Sequence, residues 1–124
     1  MLLLIDDDRE LREALAEFLA LHGYLVHSVA DGCAALQWSK GGNTLPKLIL
    51  LDLFMPVLDG WGFLFERRKD PRLARIPVVI MSGSRGIDRK AKEAGATAVM
   101  FKPVVPQELL RVIESFVTGD IAKT

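Results

Sequence analysis

Four large aliphatic residues in succession, Leu48-Ile49-Leu50-Leu51, end on a carboxylate, Asp52. A run this short and this uniformly apolar has no polar face to offer water. It therefore reads as a strand covered on both sides, the interior position of a parallel sheet. Such a strand needs strands beside it and helices above and below it. Asp52 then stands at its carboxyl end, the edge where open α/β sheets hold their ligands. Phe54-Met55-Pro56 and the turn pair Asp59-Gly60 come directly after it.

The rest of the chain supplies those neighbours. Residues 2–5 form a first short apolar strand that also ends in acid, Asp6-Asp7-Asp8. From Arg9 the period becomes helical: Leu11, Leu15, Phe18 and Leu19 share one face, with Ala14 filling in, Asp8 as N-cap and Gly23 as the stop. A second strand is predicted over 24–29, after which Asp31-Gly32 turns the chain into a helix over 34–40. The central strand spans 47–51, followed by a helix over 61–69 in which Gly62 costs about 1 kcal/mol of propensity. Arg67, Arg68 and Lys69 sit in its last turn, where cations suit the helix dipole, and Asp70-Pro71 breaks it. A strand over 77–81, a short helix over 88–94, a strand over 97–101 and a helix over 106–117 complete the pattern. Five strands alternating with five helices predict a doubly wound parallel sheet with right-handed crossovers. One domain covers 2–117, and 118–124 reads as a tail or the start of a linker.

Composition narrows the function. Of 124 residues, half are hydrophobic and 26% charged, which fits one globular core. Lys+Arg and Asp+Glu balance at 16 each, so bulk charge gives no reason to expect nucleic acid or an anionic membrane as partner. No apolar run approaches the roughly 20 residues of a membrane span, and Asp6 interrupts the N-terminal run too early for a signal peptide. The single Cys33 rules out an internal disulfide. A cytoplasmic location is the expectation.

The strand ends carry the chemistry. Asp6 and Asp7 end the first strand, Asp52 the third, Ser82 the fourth and Lys102 the fifth. Side by side, these groups share one crevice. Three close carboxylates repel one another unless a cation joins them. An all-oxygen set of this kind suits Mg²⁺, which takes a few carboxylates together with water and phosphate oxygens. A hydroxyl and an ammonium opposite would hold an anion. The set fits phosphoryl transfer to a carboxylate nucleophile.

Ile5-Asp6-Asp7, Leu51-Asp52-(x)2-Met55-Pro56-(x)2-Asp59-Gly60, Met81-Ser82-Gly83, Ala94-Gly95-Ala96 and Lys102-Pro103, in this order and spacing, resemble the response-regulator receiver domain of two-component signalling, of the single-domain chemotaxis-regulator type. The resemblance covers nearly the whole chain. It implies a flavodoxin-like (βα)5 fold of sheet order 2-1-3-4-5. It also implies phosphorylation of Asp52 from a sensor histidine kinase or histidine phosphotransfer protein. Mg²⁺ would be held by Asp7 and Asp52 directly, by Asp6 through water and by the Phe54 carbonyl. Ser82, Gly83 and Lys102 would bind the phosphoryl group, and the Lys102-Pro103 bond would be cis. A one-residue shift within Asp6-Asp7-Asp8, making Asp8 the direct ligand, is the alternative assignment. The result is a signalling switch rather than an enzyme. Its output protein would bind on the side formed by the 88–94 helix, the fifth strand and the last helix, with a homodimer among the arrangements allowed there.

Some positions depart from the family pattern. Val99 occupies the switch position, where well-known members carry an aromatic ring that changes rotamer with Ser82, and Phe101 lies two residues further along. The segment 82–95 is about two residues short, which shortens the helix within it. Phe54, bulky and apolar two residues after Asp52, is expected to alter the lifetime of the phosphorylated state. The first two departures favour one competitor, a phosphorylation-independent binding module. A haloacid-dehalogenase-like phosphatase would want a second acid where Phe54 stands. His22, His27, Trp38, Trp61 and Cys33 read as surface or packing residues, and Arg85, Arg89, Lys90 and Lys92 as a solvated basic face with a docking patch as the alternative. No effector domain is recognisable, so the chain stands alone or belongs to a longer protein, and the abrupt start at Leu2 favours the latter.

Overall fold

A computed structural model describes residues 1–117. In chain order it contains β1 (Leu2–Ile5), α1 (Arg9–Leu21), β2 (Val26–Val29), α2 (Gly32–Lys40), β3 (Leu48–Asp52), α3 (Gly60–Arg67), α4 (Pro71–Ala74), β4 (Val78–Ser82), α5 (Asp88–Glu93), β5 (Ala98–Phe101) and α6 (Pro106–Val117). The five strands are parallel, in the order β2-β1-β3-β4-β5. The predicted tail, 118–124, lies outside the described residues.

The aliphatic runs occupy the middle of the sheet. Every residue of β1, β3 and β4 is buried, whereas the edge strands β2 and β5 are half-exposed throughout. Alternation sends Leu3, Ile5, Ile49, Leu51, Val78 and Ile80 to one face, where Phe63 and Leu64 of α3, Leu73 of α4 and Ala91 of α5 cover them. Leu2, Leu4, Leu48, Leu50, Val79 and Met81 take the other face, under Leu15 and Leu19 of α1 and Leu109 and Ile113 of α6. Each such side chain contributes about 1.5–3 kcal/mol by leaving water. Ala16, not the expected Ala14, fills the inner face of α1.

Aspartates start the helices. Asp8, Asp31, Asp59 and Asp70 each accept a backbone N–H of the first turn beyond them, satisfying donors a helix start leaves orphaned. Asp31-Gly32 and Asp59-Gly60 are thus caps rather than free turns, and each helix begins at its glycine. Pro71 does not end helical structure: behind the Asp70 cap it takes the first position of a sixth helix, α4, that the sequence pattern did not predict.

Arg67 lies in the last turn of α3, as expected, but it is buried rather than solvated. It is 4% exposed, and its guanidinium donates to the carbonyls of Ala74 and Ile76 at 3.0 and 2.8 Å, binding α4 to the lead-in of β4. Burial, and then the neighbouring Arg68, pull its pKa down. α5 is short at six residues and starts without a side-chain cap. Among the described residues no helix is long and apolar enough to cross a membrane.

Candidate functional site at the carboxyl edge of the sheet

Parallel pairing in register brings the four strand ends to one edge. Ile5 lies opposite Leu51, Asp52 opposite Met81 and Ser82 opposite Phe101, so Asp6, Asp52, Ser82 and Lys102 emerge side by side. One carboxylate oxygen from each of Asp6, Asp7 and Asp52 lies within 4.8 Å of the others. Asp6 is fully buried, Asp52 is 5% exposed and Asp7 is open to solvent.

The Lys102 ammonium bridges the buried pair, 3.4 Å from Asp6 Oδ2 and 3.3 Å from Asp52 Oδ1. Burial first, then the charge of Asp6, push the Asp52 carboxyl above its usual range, against the opposing pull of Lys102. Burial lowers the Lys102 pKa, but Asp6 and Asp52 together outweigh it and hold the ammonium above its usual value. Among the described residues, a single ammonium thus bridges the carboxylate pair, with Asp7 as the open third acid of the cluster. Its all-oxygen donors fit a small hard divalent ion.

Local bonds hold each group. The Asp8 N–H donates to Asp6 Oδ1 at 2.9 Å, while the Asp8 carboxylate turns away to accept the Leu11 N–H. Asp8 is thus committed to the helix start, and Asp7 is the member of the pair that joins the cluster. Arg12, which the sequence pattern did not single out, donates to the Asp6 carbonyl at 2.8 Å. Its only sequence signal is a polar residue one turn into α1.

The loop after Asp52 folds back over the strand end. The Gly60 N–H donates to the Leu53 carbonyl at 2.8 Å, and a Cβ at Gly60 would lie 2.7 Å from the Asp52 carbonyl oxygen, so only glycine fits there. Between them Val57 is the centre of a γ-turn, with Leu58 N–H donating to the Pro56 carbonyl at 2.8 Å and φ at +68°. The Phe54 side chain is 60% exposed beside the site.

Ser82 is buried, and its hydroxyl accepts the Ser84 N–H at 3.0 Å; above Gly83 there is open space. The Lys102 N–H donates to the Ser82 carbonyl at 2.7 Å, and Lys102-Pro103 is cis. Val99 is half-buried on the α5 face.

The residues read as bystanders lie elsewhere. His22 caps the end of α1, with its ring nitrogen 3.0 Å from the Phe18 carbonyl oxygen, and His27 stacks on Trp38 at 4.5 Å. The basic run is not simply solvated: Arg85 lies 4.6 Å over the Phe101 ring and Lys90 4.5 Å over Trp61.

Comparison with known proteins agrees with this geometry. The family model described as the response regulator receiver domain matches residues 2–114. Response regulator Rre1 of Synechocystis is 33% identical over 99% of this chain and 54% of its own, and a CpxR homolog of Haemophilus influenzae, named a transcriptional regulatory protein, is 40% identical over 92% and 48%. The chain spans about half the length of the curated relatives it matches. Among solved structures, the chemotaxis response regulator CheY4 of Vibrio cholerae superposes with a TM-score of 0.83 at 27% identity, covering 93% of this chain and 96% of that one. The receiver domain of NtrX from Brucella abortus gives 0.80 at 28%, covering 97% and 100%. Paired acids, a hydroxyl and a lysine gathered on the carboxyl edge of a 2-1-3-4-5 sheet accord with that match, and the chain belongs to the response regulator receiver domain family of two-component signalling.

Proposed function

We propose that Asp52 is the phosphoacceptor of a two-component phosphorelay and that the domain spanning 2–117 switches partner binding when it is phosphorylated. The observation that carries this reading is the Lys102 ammonium bridging two buried carboxylates at the open strand edge, with Asp7 beside them. An Asp52 oxygen attacks the phosphorus of a phosphohistidine on a sensor kinase or phosphotransfer protein. The new P–O bond forms as the P–N bond breaks, and the imidazole leaves. Mg²⁺ held by Asp6, Asp7, Asp52 and the Phe54 carbonyl would supply positive charge against the phosphoryl oxygens.

The chain's own groups do the rest. Lys102 exchanges its carboxylate contacts for a phosphoryl oxygen, the Ser82 hydroxyl turns from Ser84 to donate to another, and Gly83 leaves room and offers its N–H. The acyl phosphate carries about −1.5 to −2 of charge in place of the carboxylate's −1, so the site, in which a lysine bridges the carboxylates, gains about −0.5 to −1. The consequence is a rearrangement of the Ser82 loop that biases the α5–β5–α6 side. The output partner binds there, inside the cytoplasm where the donor kinase presents its phosphohistidine. The domain turns over no substrate beyond its own acyl phosphate, whose hydrolysis Phe54 slows by shielding Asp52 from water.

The test is incubation with a small phosphodonor such as acetyl phosphate, with and without Mg²⁺, read by intact mass. One phosphoryl group is expected on the wild type with Mg²⁺ and none on Asp52→Asn. A wild type that gains no mass, or an Asp52→Asn variant labelled equally, refutes the proposal and leaves a phosphorylation-independent binding module. Phe54→Asn is expected to shorten the half-life of the labelled state several-fold, and an unchanged half-life removes the shielding role.

A further inference from the structure

The position that carries an aromatic in familiar receivers is Val99, which has no ring to move, yet the loop after β4 is not loose. Ser82 and Phe101 are register partners on adjacent strands. Ile80 and Val99, two residues back on each strand, both pack on the face covered by α3 and α5. Strand alternation therefore directs the Ser82 and Phe101 side chains to that same face, as cross-strand neighbours. The Arg85 guanidinium, three residues beyond Ser82, lies over the Phe101 ring at 4.6 Å.

Two ties thus hold the segment 82–86, one within it and one to the end of β5. One is internal: the Ser82 hydroxyl accepts the Ser84 N–H at 3.0 Å and reaches the Ser84 carbonyl at 3.5 Å. The other is Arg85 on Phe101. Gly83, with open space where a Cβ would stand, and Gly86, at φ +78°, lie within the segment as points where the backbone can turn. β4 lies between β3 and β5, so a Ser82 hydroxyl that swings toward Asp52 moves away from Phe101. It also gives up Ser84, and Arg85 is drawn with it.

We propose that Arg85 and Phe101 form the latch that holds the Ser82 loop in its resting arrangement and opens when Asp52 is phosphorylated, taking the place of the missing ring at Val99. The inference rests on the phosphoacceptor reading of Asp52. Arg85 is a positioning residue that acts through Ser82. Its consequence is that the latch opposes the phosphorylated state, so weakening it speeds phosphorylation.

The experiment is a double-mutant cycle on the full chain with Arg85→Ala, Phe101→Leu and the pair, and with Arg85→Lys as the conservative variant. Phosphorylation by acetyl phosphate and Mg²⁺ is followed by mass, and hydrogen exchange at the Ser84 amide is followed without donor. Each single variant is expected to be phosphorylated about two- to fivefold faster, the scale of an exposed cation–π contact. The double variant should be no faster than the singles, and Arg85→Lys should stay near wild type. Ser84 exchange should rise in both single variants, while the urea midpoint of Arg85→Ala falls by no more than that one exposed contact accounts for. Effects that multiply in the double variant, or Ser84 exchange unaffected by Arg85→Ala, overturn the latch in a protein that is still phosphorylated. A wild type that gains no phosphoryl group overturns the phosphoacceptor reading and the switch built on it, a result distinct from the first two.

Discussion

Lys102→Met removes the one ammonium between two buried carboxylates while keeping most of the side-chain volume. At 3.3–3.4 Å and an effective dielectric of about 20, each ion pair has a gross Coulomb energy of about 5 kcal/mol, most of it offset by desolvation. Taking one partner from a buried pair has a net effect of about 3–5 kcal/mol, and a lysine side chain 25% exposed belongs at the low end. There is also a ceiling. The variant can escape by protonating a carboxylate, and pH 7 lies about three units above the ordinary aspartate value of 3.8, at about 1.4 kcal/mol per unit. The loss therefore cannot exceed about 4 kcal/mol, and about 3 is expected, or about 12 °C in the melting temperature of a domain this size. Urea unfolding followed by tryptophan fluorescence measures it, with an unchanged slope expected. Lys102→Met/Asp52→Asn should recover most of the loss because only one buried charge is left, and millimolar Mg²⁺ should stabilise Lys102→Met more than wild type. A single variant within 0.5 kcal/mol of wild type, or a double variant no better than the single, refutes the picture of one cation compensating two carboxylates.

Asp52→Asn alone should be more stable than wild type at neutral pH without divalent ions. The folded Asp52 pKa is raised, by burial and then by Asp6, so its contribution is greatest below the unfolded value of 3.8 and is lost as pH rises through the folded value. The advantage of the asparagine should accordingly shrink on acidification toward pH 3.8, and melting curves that show a pH-independent difference count against it. Val57, β-branched, 80% exposed and at φ +68°, is in a conformation that asparagine tolerates far better, so Val57→Asn should add about 1 kcal/mol in urea unfolding. Among the described residues the Tyr24 hydroxyl is buried without a hydrogen-bond partner, so Tyr24→Phe should gain about 1 kcal/mol, and a loss of that size would reveal a bond it makes.

Much of the architecture is legible because it is written in residue type. Uninterrupted aliphatic runs at 2–5, 48–51 and 78–81 suit interior strands, and the acids, serine and lysine that end the strands mark the site. Helix starts are harder to read where Asp-Gly pairs serve as caps, because a turn and a cap use the same residues and differ only in the path of the chain beyond them. Pro71 reads as a stop for the same reason: its fixed φ ends one helix and opens the next equally well.

The chain alone therefore determined the parallel sheet and the identity of the groups on its carboxyl edge, since hydrophobic period and strand-end chemistry are local properties, while the strand order came from the resemblance to receiver domains. Tertiary structure decided how those groups are paired. That Arg67 is buried to hold α4, that Asp6 and Asp52 share one ammonium, and that Arg85 finds Phe101 all depend on residues 7–96 positions apart meeting in space, and long cationic side chains reach partners that sequence spacing does not reveal.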